Sequence, residues 1–236
     1  MPRAAATPSL DLLARGEITV KGRLPWASNA TFLVEVTRGR ATALGVYKPQ
    51  RGERPLWDFP RGLHRREVAA YQLSETLGFG LVPPTLGRDG PYGPGSLQMF
   101  VDADFEEHYF TLRERPEQRA ALARLCAFDL VANNADRKSG HCLLGRDGRL
   151  YAIDNGLCFH TEPKLRTVVW DFAGEPVPED IRAAARRLAA EGLPESLADL
   201  LGPEERGALL ARARALGAAE QFPQDSTGMR YPWPLV

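Results

Sequence analysis

The sequence predicts an α+β fold of two lobes, a β-rich N-terminal lobe with one helix and a mostly helical C-terminal lobe. Three observations lead there. Up to about residue 101, apolar and polar residues alternate in short runs broken by Gly and Pro, the period-two texture of half-buried strands. Beyond Asp104 the spacing turns helical, most clearly over 116–132. The 236 residues are enough for one large domain or two small lobes. The change of texture at 101–104 sets expected domains of 1–101 and 102–236.

In chain order, residues 8–14 have the spacing of a short amphipathic helix. Strands follow at 17–22, 31–36 and 41–48, separated by turns at 25–30 and 38–40. Three prolines make 49–60 a loop. The expected helix at 61–77 sets Leu63, Val68, Tyr71, Leu73 and Leu77 on an apolar face and stops at Gly78. Strands at 82–86 and 95–101, joined by a Gly/Pro-rich turn over 88–95, complete the order βββαββ. The second half holds a helix at 116–132, a loop at 133–140 and a small hairpin of 141–144 with 150–153. Helices near 178–191, 194–201 and 203–218 and a Pro-rich tail complete it.

Composition narrows the class. Basic and acidic residues balance at 30 each, which gives no support for a nucleic-acid-coating surface. Cys126, Cys142 and Cys158 are an odd set spaced sixteen apart with no CxxC, so neither a disulfide framework nor a cysteine zinc site is expected. The N-terminus lacks the apolar core of a signal peptide, and no window reaches the roughly 20 apolar residues of a membrane span. A cytoplasmic protein without a transmembrane segment is expected. Only four basic residues are Lys (Lys21, Lys48, Lys138 and Lys164), so a retained Lys points to a place where a compact ammonium serves and a guanidinium does not.

Four segments carry chemistry. Lys48 closes the third strand, where an ammonium can hold the α/β-phosphates of a nucleotide, and Glu67, nineteen residues on, is a natural orienting partner. In Asn133-Asn134-Ala135-Asp136-Arg137-Lys138-Ser139-Gly140-His141, Asp136 can orient or deprotonate a hydroxyl and Lys138 can reach a transferred phosphoryl group. Asp154 ends an apolar strand before Asn155-Gly156, and its carboxylate suits Mg²⁺ bridging phosphates. The turn Trp26–Ala30 could cover phosphates with backbone N–H groups and with Ser28 and Asn29, although it has no glycine. Each segment alone also fits a solvated loop or surface. Together, the spacing Asp136, five residues to His141, a hairpin, then Asp154 follows the order of a phosphotransfer catalytic loop and its metal-binding turn.

Val46–Pro49, Arg66–Tyr71, Asn133–His141 and Tyr151–His160 resemble the phosphatidylinositol 3-/4-kinase-like superfamily of atypical kinases, in particular compact actinobacterial members. The pattern is also similar to HipA-type toxin kinases and secretory-pathway kinases. The resemblance implies a protein-kinase-like fold with a nucleotide-binding N-lobe and a C-lobe carrying the catalytic loop, together with ATP and Mg²⁺ or Mn²⁺ as cofactors. It implies that Gln98, Met99, Phe100 and Val101 form the hinge that reads adenine, that Asp136 and Lys138 are catalytic, and that Asp154 holds metal. His141 stands where the family usually has a metal-binding Asn, and imidazole nitrogen favours Mn²⁺ or another transition metal over Mg²⁺. The implied activity is phosphorylation of a hydroxyl on an unknown protein or small-molecule acceptor. The alternatives are a nucleotide-binding pseudokinase that regulates a partner, and AMP transfer from the same cleft.

Overall fold

The computed structural model describes residues 10–25, 29–225 and 227–235. Ser28, Trp26 and Ala27 of the proposed phosphate turn lie outside the described residues. The chain divides into two compact units, one of residues up to 68 together with 83–100, the other of 69–82 together with 101 onward.

The first unit holds helix α1 (Leu10–Arg15), strands β1 (Glu17–Arg23), β2 (Phe32–Arg38), β3 (Ala41–Pro49), β4 (Thr85–Gly90) and β5 (Gly93–Met99), and the start of helix α2 (Leu63–Leu77). The sheet is antiparallel in the order β1-β2-β3-β5-β4. Alternation along β2 and β3 sends Val34, Val36, Ala43 and Tyr47 to one face, where Leu12, Leu13, Leu97 and Met99 join them in a buried cluster. Arg88 on β4 fastens α1 to the sheet, its Nη1 donating to the carbonyls of Leu13 (2.6 Å) and Gly16 (3.0 Å).

The fourth and fifth strands differ from expectation. Pro83 and Pro84 have no N–H to give a ladder, so β4 begins only at Thr85. The Gly/Pro-rich run is strand rather than turn down to Gly90 and Gly93, and only Pro91–Tyr92 turn the corner. The glycines there make room for Tyr47, whose hydroxyl donates to the Gly93 carbonyl. A Cβ at Gly90 would lie 2.7 Å from the Tyr47 ring, and one at Gly95 only 2.5 Å from the Lys48 carbonyl oxygen.

The loop 50–62, which includes a short 3₁₀ turn at Gln50–Gly52, returns to the start of α2 through Glu53. Its carboxylate accepts the backbone N–H groups of Gly62 (3.0 Å) and His64 (2.8 Å) and meets His64 Nδ1 at 2.6 Å. Burial raises the Glu53 carboxyl, but the His64 and backbone hydrogen bonds outweigh it and hold its pKa below the ordinary value.

The second unit is mostly helical: the remainder of α2, α3 (Tyr109–Leu112), α4 (Arg119–Ala132), α5 (Glu179–Glu191), α6 (Glu195–Ala198) and α7 (Pro203–Ala218), with the hairpin of β6 (Cys142–Leu144) and β7 (Leu150–Ala152). Helix α4 runs through its core, burying Leu122, Leu125, Phe128 and Val131 among others. The helix expected from 116 begins as a 3₁₀ turn at Pro116–Gln118, because a proline suits a first turn, and α6 is shorter than the 194–201 expected. The three cysteines are buried and none is in a disulfide. Among the described residues, no helix is long and apolar enough to cross a membrane.

Two predictions follow from this packing. Gly95→Ala forces a methyl into backbone and is expected to cost about 2–4 kcal/mol, whereas Gly207→Ala, with open space around a helical position of α7, is expected to stabilise by about 0.5–1 kcal/mol. Urea unfolding of both variants checks this, and a Gly95→Ala cost below about 0.5 kcal/mol refutes the packing argument. Glu53→Gln removes a carboxylate that is favoured in the folded state, so its stabilisation is present above the unfolded carboxyl pKa and lost as pH falls through the lower folded value. The variant is expected to be less stable than wild type by about 1–2 kcal/mol at pH 7, with the difference closing as pH falls below the ordinary carboxyl range; a gap independent of pH contradicts it.

Candidate active site

Lys48 lies near the end of β3, opposite Ser96 of β5, on the face opposite to buried Tyr47. Its Nζ is paired with the Glu67 carboxylate from the first turns of α2, and the two side chains are 20% and 4% exposed. An ammonium held in this way has a fixed position from which to meet phosphate oxygens. In the expected hinge, the Gln98 side chain donates to Thr85 Oγ1 (2.8 Å), and the backbone N–H groups of Met99 and Phe100 donate to the carbonyls of Pro84 (2.8 Å) and Leu44 (3.0 Å). Those three donors are therefore committed to the sheet. Val101 begins the second unit. Asn29 accepts the Arg54 N–H with its Oδ1 (2.9 Å), which ties its turn to the loop after β3.

In the second unit, α4 ends at Asn133 in the left-handed region (φ 54°), and the chain then runs extended with a burial period of two. Ala135, Arg137 and Ser139 are buried, while Asp136 and Lys138 face outward between them. Lys138 Nζ lies 3.4 Å from Asp136 Oδ2. Burial pushes the Asp136 carboxyl up and the charge of Asp154 adds to the rise, against the pull of Lys138.

The β6–β7 hairpin brings the other pair together. Cys142 pairs with Ala152, and one step outward the Ile153 N–H donates to the His141 carbonyl (3.0 Å). The next residue, Asp154, takes φ +57°, a conformation Asp tolerates better than most residues, and its Oδ2 sits 3.4 Å from His141 Nε2. His141 Nδ1 is 3.0 Å from the Asp136 carbonyl oxygen. The Lys138 N–H also points at His141 Nδ1 (3.3 Å), so the tautomer decides whether Nδ1 donates to the Asp136 carbonyl or accepts from Lys138, and with it whether Nε2 meets Asp154 with a proton or a lone pair. One imidazole nitrogen and one carboxylate oxygen at this separation suit a shared divalent cation, for which Mg²⁺ and Mn²⁺ commonly take one or two protein ligands and complete their shell with phosphate and water. Among the described residues no group of three His, Cys, Asp or Glu side chains converges as a metal cage.

Sequence reasoning missed what holds this loop. Arg137 and Asp129 are both fully buried. Arg137 Nε lies 3.2 Å from each Asp129 carboxylate oxygen and Nη2 3.1 Å from one of them, while Nη1 donates to the Ile153 carbonyl (2.7 Å) and Nη2 to Asn155 Oδ1 (2.5 Å). Asp129 also accepts from Asn134 Nδ2 (3.1 Å) and Thr167 Oγ1 (3.0 Å). Burial pushes the Asp129 carboxyl up against the pull of Arg137, and for Arg137 that same carboxylate outweighs burial and holds the guanidinium above its ordinary value. The hydrogen bonds converging on Asp129 are those an ionised carboxylate receives, so the pair is read as charged. Asn133 closes the far side, donating to the carbonyls of His160 (2.9 Å) and Glu162 (2.7 Å) and accepting from the Lys164 N–H (2.9 Å). Two signals in the sequence pointed here: a lone acid inside the apolar helix Leu125–Ala132, and the alternation that must turn Arg137 inward if Asp136 and Lys138 face out.

Residues 87–183, which contain Asp136, Lys138, His141 and Asp154, match the family model of phosphatidylinositol 3- and 4-kinases. The chain is 44% identical to Protein Rv2133c of Mycobacterium tuberculosis, over 94% of each sequence. It is similar in fold to hydra Fam20 solved with sugar (TM-score 0.54, 16% identity, 86% of this chain and 84% of that one). It is likewise similar to the proinflammatory kinase CtkA of Helicobacter pylori (TM-score 0.51, 12% identity, 89% and 94%). The fold is thus α+β and kinase-like, with a sheet-rich N-terminal part and a helical C-terminal part, and the chain belongs to the phosphatidylinositol 3-/4-kinase-like family of atypical kinases.

Proposed function

We propose that the chain transfers the γ-phosphoryl group of ATP to a hydroxyl on a protein or small-molecule acceptor, with Mg²⁺ or Mn²⁺ as cofactor. The observation that carries this reading is the grouping of Asp136, Lys138, His141 and Asp154 within one unit, each held by the backbone of the 133–141 loop or the β6–β7 hairpin.

In this reading Lys48, oriented by Glu67, takes the α/β-phosphates, and residues up to 101 form the nucleotide-binding domain. The segment 98–101 reads the adenine with groups other than the Gln98 amide and the Met99 and Phe100 N–H donors, because the sheet already uses those. Residues from 102 onward form the catalytic domain. Asp136 accepts a hydrogen bond from the acceptor hydroxyl and takes its proton as the oxygen attacks phosphorus. The raised affinity of Asp136 for a proton suits that task better than an ordinary surface carboxylate would. Lys138 donates to the oxygens of the transferring group, where negative charge is spread in the transition state. Asp154 and His141 hold the divalent cation, which when bound offsets the phosphate charge.

Asp136→Ala and Asp154→Asn are each expected to lower phosphoryl transfer at least about 100-fold while keeping a wild-type circular dichroism spectrum and cooperative melt. Intact mass after incubation with ATP and Mg²⁺ or Mn²⁺ reads the product, including autophosphorylation. A gain of AMP mass assigns the chemistry to the α-phosphate instead, and a folded Asp136→Ala variant of full activity ends the proposal.

A further inference from the structure

Outside the residues assigned to phosphotransfer, the first unit contains a cavity of about 470 Å³ between the loop after β3, the start of α2 and the β4–β5 corner. Arg51, Arg54 and Arg61 line it, all three exposed and none forming an ion pair among the described residues. Elsewhere arginines such as Arg113, Arg115, Arg119, Arg124 and Arg186 meet carboxylates. The acid on the cavity wall, Glu53, directs its oxygens to the α2 N-terminus and His64. Most of the remaining wall is apolar: Phe59 is buried with Arg66 over its ring, and Tyr92, itself exposed, lies tilted by 37° against Phe32 with centroids 4.5 Å apart.

We propose that this cavity is a binding site for a small molecule carrying a phosphate group on a ring or other apolar body. Three planar guanidinium groups supply paired N–H donors for phosphate oxygens, and the Tyr92, Phe59 and proline surfaces take the body. The ligand spans the two ends of the loop that connects Lys48 to the helix of Glu67, so its occupancy stiffens the segment between those residues. None of its lining residues is among those proposed to hold the nucleotide phosphates, and the site does not depend on the proposed activity.

Calorimetry with phenyl phosphate, inorganic phosphate and phenol on the full chain tests this. It is carried out in a Lys48→Met background, which removes the ammonium proposed to hold the nucleotide phosphates. Phenyl phosphate is expected to bind at least tenfold more tightly than phenol, and inorganic phosphate to fall between them. Binding that is equal for inorganic and phenyl phosphate assigns the site to free phosphate and overturns the role of the apolar wall. The double variant Arg54→Gln/Arg61→Gln is expected to lose at least tenfold in affinity for phenyl phosphate with an unchanged melting temperature. On the otherwise unaltered chain, titration is expected to shift the backbone amide resonances of Gly62 and Gly93 at the cavity edge. The proposal fails if phenyl phosphate does not bind, if the double variant binds it as well as its parent, or if the shifted amides lie elsewhere.

Discussion

The buried contact between Asp129 and Arg137 is the constraint on which the 133–141 loop depends. Two charges withdrawn from water gain little by themselves, but removing one of them leaves the other uncompensated, at a cost of about 3–5 kcal/mol. The geometry explains why the residue is arginine. Its fork reaches the end of α4 through Asp129, the strand end through the Ile153 carbonyl and the turn through Asn155, three attachments that one ammonium could not make in a fixed plane. The backbone of Arg137 meanwhile pairs with the 166–168 segment, its N–H donating to the Arg166 carbonyl and its carbonyl accepting from Val168. With residue 137 pinned inward, the extended chain has no choice but to present Asp136 and Lys138 on its other side.

The same geometry shows where sequence reading succeeds. Strands β2 and β3 were legible because each has one buried face, and a period of two records that directly. The hairpin that sets His141 beside Asp154 was legible because its turn residues sit between two short apolar runs. The shift of β4 and β5 was not legible. Glycine-rich strand and glycine-rich turn have the same composition, and what separates them is a Tyr47 ring that only the fold brings to Gly90 and Gly95. The Asp129–Arg137 contact failed to register for a different reason. Charged residues are counted as surface by default, and an acid inside an apolar helix and an alternation at 137 are weak signals until the joint burial of the two, eight residues apart across a helix end, ties them together.

The scarcity of lysine was an informative sign but not a sufficient one. Lys21, one of the four, forms an ordinary strand-to-strand contact with Glu35, both side chains being well exposed at 47% and 36%. Lys48 and Lys138 differ from it in exposure, 20% and 23%, and in having partners fixed by a helix and by a pinned loop. A screened surface pair contributes little and specifies nothing, whereas a half-buried ammonium beside a positioned carboxylate is a cation whose place is set before any phosphate arrives. In the proposed reaction, preorganisation of that kind would lower the reorganisation that phosphoryl transfer requires, and burial and attachment, more than residue type, distinguish these two lysines. The arginines of the β3–α2 loop stand at the opposite extreme: exposed, and without an ion pair among the described residues, they suit the capture of an arriving anion, whereas the roles proposed for Lys48 and Lys138 are the holding of one already in place.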